Sequence, residues 1–82
     1  TGIYRVTRQR LLPGHELLDR GKGSLRVFVV TKGTLHLEWQ AKKETARFEV
    51  RKGQSVLVPA ILDQLVIRSS GITECFKVDV PT

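Results

Sequence analysis

A chain of 82 residues makes one domain, and a domain of that size buries only about 60% of the surface its unfolded chain exposes. No stretch approaches the ~20 apolar residues of a membrane helix, which excludes a helical span. The net charge of +6 permits a nucleic-acid partner, but the basic residues are spread along the chain and the five aromatics make no RNA-binding strand motif, so specific nucleic-acid recognition is not expected.

The N-terminal run "TGIYRVTRQR" has no apolar signal-peptide core and no initiating Met, as in a segment of a longer protein. Within it "GIYRVTRQ" alternates, Ile3, Arg5 and Thr7 against Tyr4, Val6 and Arg8, and predicts a strand. "PGHELLDRG" predicts at most a single helical turn. "SLRVFVVT" is β-branched and almost continuously apolar, the pattern of a strand covered on both faces. In "GTLHLEWQ", Leu35, Leu37 and Trp39 point one way and Thr34, His36 and Glu38 the other. "ARFEVR" sets Phe48 and Val50 against Glu49 and Arg51, and Lys42-Lys43-Glu44 gives the hairpin between these strands a charged tip that resists edge-to-edge association. "QSVLV", "QLVIRS" and "ITECFKVDV" complete the strands, with turns at Pro13-Gly14, Gly21 and Gly23, Lys32-Gly33, Lys52-Gly53, Pro59 and Ser69-Ser70-Gly71.

Seven or eight short antiparallel strands at this spacing predict an all-β sandwich or barrel. The lone cysteine, Cys75, forms no internal disulfide and reads as a small core residue. Nothing in the chain demands an oxidising compartment, so the cytoplasm is the expected location.

The glycines and prolines carry a further pattern. Gly14 and Gly33 stand at the spacing of the two glycines in the first motif of the cupin superfamily, G-x5-H-x-H-x3-E-x6-G. Gly53 and Pro59 fit the start of its second motif, G-x5-P-x-G-x2-H-x3-N. The chain therefore resembles a cupin, which implies a small double-sheet jelly roll, or cupin-like β-barrel. The turn residues Gly14, Gly33, Gly53 and Pro59 match; the ligand positions do not. Where that family places metal ligands, this chain has Arg20, Lys22, Arg26 and Gln64. Metal sites need imidazole, carboxylate or thiolate donors, so no metal is expected here. His15 and His36 fall outside those positions, and His36 with Glu38 reads as a half-exposed polar strand face.

Within the cupins, "LRVFVVTKGTLHLEW" followed by "FEVRKGQSVLVPAILDQLVI" resembles the C-terminal domain of type I mannose-6-phosphate isomerases, and "FKVDVP" resembles the way those chains end. The resemblance implies that residues 1–82 form a single non-catalytic C-terminal domain of such an enzyme. The whole enzyme interconverts mannose 6-phosphate and fructose 6-phosphate, with zinc held in an upstream catalytic domain. That upstream domain is then the expected partner. No catalytic residue carries over, and no cofactor is expected in this segment.

Two further expectations concern ligands. Arg20, Lys22, Arg26 and Gln64 could converge on the barrel mouth, where repulsion among cations would favour a bound anion such as a sugar phosphate. Alternatively Arg26, which shares its strand parity with Phe28 and Val30, pairs with Asp19 or Glu16. The rival to the isomerase reading is a stand-alone metal-free module that binds a carbohydrate, an anion or a protein, with strand edges available for a homodimer.

Overall fold

The computed structural model describes residues 4–21 and 23–81. Lys22, a member of the candidate anion set, lies outside them. Eight strands follow one another: β1 (Arg5–Leu11), β2 (Glu16–Arg20), β3 (Ser24–Lys32), β4 (Thr34–Ala41), β5 (Glu44–Arg51), β6 (Ser55–Val58), β7 (Gln64–Ser69) and β8 (Thr73–Pro81). They form two four-stranded antiparallel sheets, ordered β1-β8-β3-β6 and β2-β7-β4-β5. The molecule is 18 Å across its shortest dimension, the depth of two sheets stacked about 10 Å apart with their outward side chains. This is the expected double-sheet jelly roll.

Alternation places the core. From the first sheet Phe28, Val30, Val58 and Cys75 point inward; from the second come Leu35, Leu37, Val50, Leu65 and Ile67. Leu11 closes one end. Phe28 is fully buried, and such a side chain contributes roughly 2–3 kcal/mol of transfer free energy. Buried hydroxyls are satisfied locally. Thr73 Oγ1 donates to the Thr34 carbonyl at 3.0 Å, and Ser69 Oγ donates to the Leu12 carbonyl at 2.8 Å.

Gly33 shows why the turn residues persist. Its φ is +76°, a region that L side chains avoid. A Cβ there would also run into the Ile72 carbonyl and come within 2.9 Å of Thr73 Oγ1. Just before it the β3–β8 register shifts between Val30 and Lys32, a bulge that bends the chain into the turn. Gly14 and Gly53 also have positive φ, and β6 ends at Val58, directly before Pro59.

Two sequence readings need correction. The stretch expected to make a helical turn is strand β2, paired along its whole length with β7. Pairing supplies what "ELLDR" lacks in local strand propensity. Phe48, by contrast, keeps the expected parity with Val50, and is 49% exposed on β5, an edge strand. Strand β3 is covered by this chain on one face alone: Phe28 and Val30 are buried, while Val29 on the other face is 36% exposed.

The two outer faces differ in chemistry. That of the second sheet is charged. Arg68 donates to both Glu16 and Glu38 at 2.8 Å, Arg47 lies 3.7 Å from Glu38, and Arg51 pairs with Glu49 at 2.8 Å. That of the first sheet is largely apolar, with Val6 paired to Val78, Val78 to Val27, and Val27 to Leu57 in one row across all four strands.

Candidate functional site

The interior is apolar over most of its length and ionic at one end. Arg26 sits on β3 with the parity of Phe28, so its side chain enters the space between the sheets and is fully buried. Its Nη1 donates to Asp19 Oδ2 at 2.6 Å, and its Nη2 donates to the Leu62 carbonyl. Asp19 comes from β2 on the facing sheet and is 8% exposed. Its other carboxylate oxygen accepts from Lys77 Nζ of β8. Lys77 lies 3.7 Å from Asp79. Two cations thus meet two carboxylates, and the cluster is neutral. Arg26 Nε is the one buried side-chain polar atom without a hydrogen-bond partner among the described residues.

The backbone is shaped around this guanidinium. A Cβ on Gly21 would stand 2.7 Å from Arg26 Cζ, so glycine there lets the loop close over the charge. The Gly21 N–H donates to the Asp63 carbonyl at 2.7 Å, which ties the β2–β3 loop to the segment leading into β7.

The candidate anion residues therefore separate. Arg20 and Gln64 stand directly opposite each other on β2 and β7, both exposed. Arg26 turns inward, and its charge is met by Asp19, one of the two carboxylates expected for it. Glu16, the other, pairs with Arg68. Lys77 was not singled out from the sequence, since its partner Asp19 lies 58 positions away. Its inward parity between Cys75 and Asp79 was the available signal.

These donors do not fit a divalent cation. A buried guanidinium already bonded to a carboxylate offers no lone pair, and Gln64 alone would be a weak ligand. Among the described residues no three His, Cys, Asp or Glu side chains gather in a metal-binding cluster. His36 lies 3.4 Å from Ser70 Oγ on the charged outer face, with Glu38 bound to Arg68 beside it. Burial pushes the Cys75 thiol above its ordinary pKa, as suits a core residue.

A second feature is an apolar cleft of about 310 Å³ between the sheets, lined by Leu37, Trp39, Phe48, Pro59, Ile61 and Leu65 among others. Ile61, which stands where the second cupin motif has its glycine, is 92% exposed at the rim. Among the described residues no helix is long and apolar enough to cross a membrane.

No family model matches the chain, and no curated protein matches its sequence. Solved structures do match its fold. A cupin superfamily protein from Desulfitobacterium hafniense superimposes with a TM-score of 0.80 at 10% identity, over 96% of this chain and 68% of that one. Vicilin from tomato, Solanum lycopersicum, gives 0.81 at 17% identity, over 96% of this chain and 23% of vicilin. A cupin-2 domain containing protein from Shewanella frigidimarina gives 0.68 at 12% identity, over 94% of this chain and 70% of that one. The fold is that of the cupins, and likeness at these identities carries the fold alone.

Proposed function

We propose that the chain is a metal-free, non-catalytic cupin domain that serves a mannose-6-phosphate isomerase-type enzyme, with the zinc chemistry of that enzyme in an upstream domain. The observation that carries the non-catalytic part is the buried Arg26–Asp19–Lys77 cluster. Aldose–ketose isomerisation needs a base and an electrophile near the two reacting carbons. At the ionic end of this barrel each charged group is already held by an opposite charge. The isomerase assignment is supported by the order of strand, glycine, "TLHLEW", "RKG" and "VPA" along the sequence. The exposed apolar rim at Phe48 and Ile61 suits a domain that packs beside a larger one.

The test is direct. The 82-residue chain, supplied with zinc and mannose 6-phosphate, is expected to form no fructose 6-phosphate. Joined to an upstream domain bearing a metal-ligating histidine set, it is expected to support turnover that falls when residues 1–82 are removed. Zinc-dependent turnover by the chain alone overturns the proposal.

A second reading, a stand-alone carbohydrate- or anion-binding module, draws on the cleft flanked by Trp39 and on the exposed Arg20–Gln64 pair. Amide shift changes confined to these residues on titration with mannose 6-phosphate or sulfate would favour it.

A further inference from the structure

On the outer face of the second sheet the row Leu18–Val66–Glu38–Arg47 runs unbroken across all four strands. Beyond that row the sheet splits. The β4–β7 pairing stops at Glu38 and Val66, although β4 stays paired with β5 as far as Ala41 and β7 with β2 as far as Gln64. The same register continued would set Gln40 opposite Gln64. Instead these two exposed amides stand on opposite lips of a groove of about 390 Å³. Trp39 is half-buried and lines both this groove and the apolar cleft between the sheets, so its indole is seated in the split. Leu18 and Val66 extend the apolar floor. The wall is the β6–β7 loop, and it is pinned. The Leu62 carbonyl accepts from Arg26, the Asp63 carbonyl accepts from the Gly21 N–H, and the Leu62 N–H donates to the Pro59 carbonyl.

We propose that this groove binds a neutral sugar, a hexose or its disaccharide, with the C–H face of a ring on Trp39 and the hydroxyl edge on the two amides and Glu38. Charge decides the class. The lining holds two carboxylates, Glu38 and Asp63, and no cation, so a phosphate or sulfate is repelled. The charge of Glu38 is met by Arg68 at 2.8 Å and by Arg47 at 3.7 Å, so a cationic ligand gains little from it. A carboxylate in that setting still accepts hydrogen bonds from hydroxyls. Thr45 Oγ1 donates to Gln40 Oε1 at 3.3 Å, which orients that amide and leaves its nitrogen to donate. The indole is a broad apolar body with one polar handle, a surface that suits the C–H face of a sugar ring. The groove is at the lower end of the roughly 300–1,000 Å³ range of small-molecule sites, which fits a mono- or disaccharide. Its pinned wall keeps the ordering cost of binding small. The inference is independent of the isomerase reading. It shares Trp39 and Gln64 with the second reading but places the ligand on the outer side of the sheet and excludes phosphate.

Trp39 is the chain's single tryptophan, so its fluorescence reports on the groove and the adjoining cleft alone. Titration of the intact chain with mannose, glucose, galactose and their disaccharides is expected to give a saturable change with at least one of them, at a Kd of about 1 mM. Mannose 6-phosphate, an anion, and choline, a cation that would seek the same indole, are expected to bind about tenfold more weakly than that sugar. Gln40→Ala changes an exposed side chain on the groove alone and is expected to weaken binding about tenfold. Phe48→Ala, on the cleft between the sheets and not on the groove, is expected to leave it unchanged. Three results overturn the proposal: no saturable response to any of these sugars at tens of millimolar, tighter binding of mannose 6-phosphate or choline than of every neutral sugar, or a response lost in Phe48→Ala and kept in Gln40→Ala. The last of these moves the sugar into the cleft and leaves the second reading standing.

Discussion

Asp19 reaches across the barrel from one sheet and takes hydrogen bonds from two cations of the other, Arg26 and Lys77. The partners come from strands β2, β3 and β8, so the cluster ties both sheets together at the end that the core does not fill. Removing the carboxylate leaves a buried guanidinium uncompensated. Asp19→Ala is expected to destabilise the fold by about 3–5 kcal/mol in urea unfolding. Replacing all three with apolar residues of similar volume (Asp19→Leu, Arg26→Met, Lys77→Met) is expected to stay within about 2 kcal/mol of the parent. If the triple variant were as unstable as Asp19→Ala, the ions would be contributing net stability of their own.

Gly21→Ala drives a methyl group into the same guanidinium. The expected loss is about 1–3 kcal/mol, the usual cost of overpacking. Arg26→Met should relieve it, so a double-mutant cycle between the two positions is expected to show coupling. Additive effects would show that Gly21 is required for another reason.

The other glycines are expected to rank by space. Gly33→Ala combines a positive φ with a collision against backbone and is expected to cost more than about 2 kcal/mol. Gly53→Ala meets open space and bears the conformational cost alone, about 1 kcal/mol. Thermal unfolding of the two variants gives the order.

Cys75 has a raised pKa through burial, so the thiolate is scarce near neutral pH. Alkylation by iodoacetamide is expected to track the unfolded fraction across a urea series. Rapid labelling of the folded chain would contradict the burial.

Glu49 titrates below its ordinary 4.5, chiefly through its hydrogen bond and charge interaction with Arg51. A carboxylate with a lowered folded pKa stabilises the fold above its unfolded pKa, and the contribution fades as pH falls through the folded value. Carbon-detected NMR should find the Glu49 midpoint below that of an unpaired glutamate, and Arg51→Gln should raise it.

Much of this architecture was legible in the sequence because alternation and turn chemistry are local. β7 covers the same residues as "QLVIRS", β3 and β6 differ from their predicted runs by one residue at one end, and β4 is shifted by one residue from "GTLHLEWQ". β2 was not legible: Leu17 and Leu18 are adjacent and both exposed, so no period marks the strand, and its state is decided by pairing with β7. Of the ionic cluster, the inward face of Arg26 and a pairing with Asp19 or Glu16 could be read. The choice between the carboxylates, and the entry of Lys77, depend on how two sheets face each other. The match of Arg20, Arg26 and Gln64 to the cupin ligand positions suggested convergence on a ligand, whereas the fold leaves Arg20 and Gln64 exposed and buries Arg26.

The pairing of β1 with β8 brings Arg5 opposite Asp79. β8 is also an inner strand of its sheet, between β1 and β3. The first strand therefore has no neighbour in its sheet until β8 is made, and that sheet is completed only when β8 enters between β1 and β3. Slow, late closure follows from such non-local pairing. The same adjacency makes the domain a good subject for circular permutation: a short linker joining the two ends, with a new opening between β6 and β7, which lie in different sheets, makes the β1–β8 pairing local and should speed folding while keeping the fold.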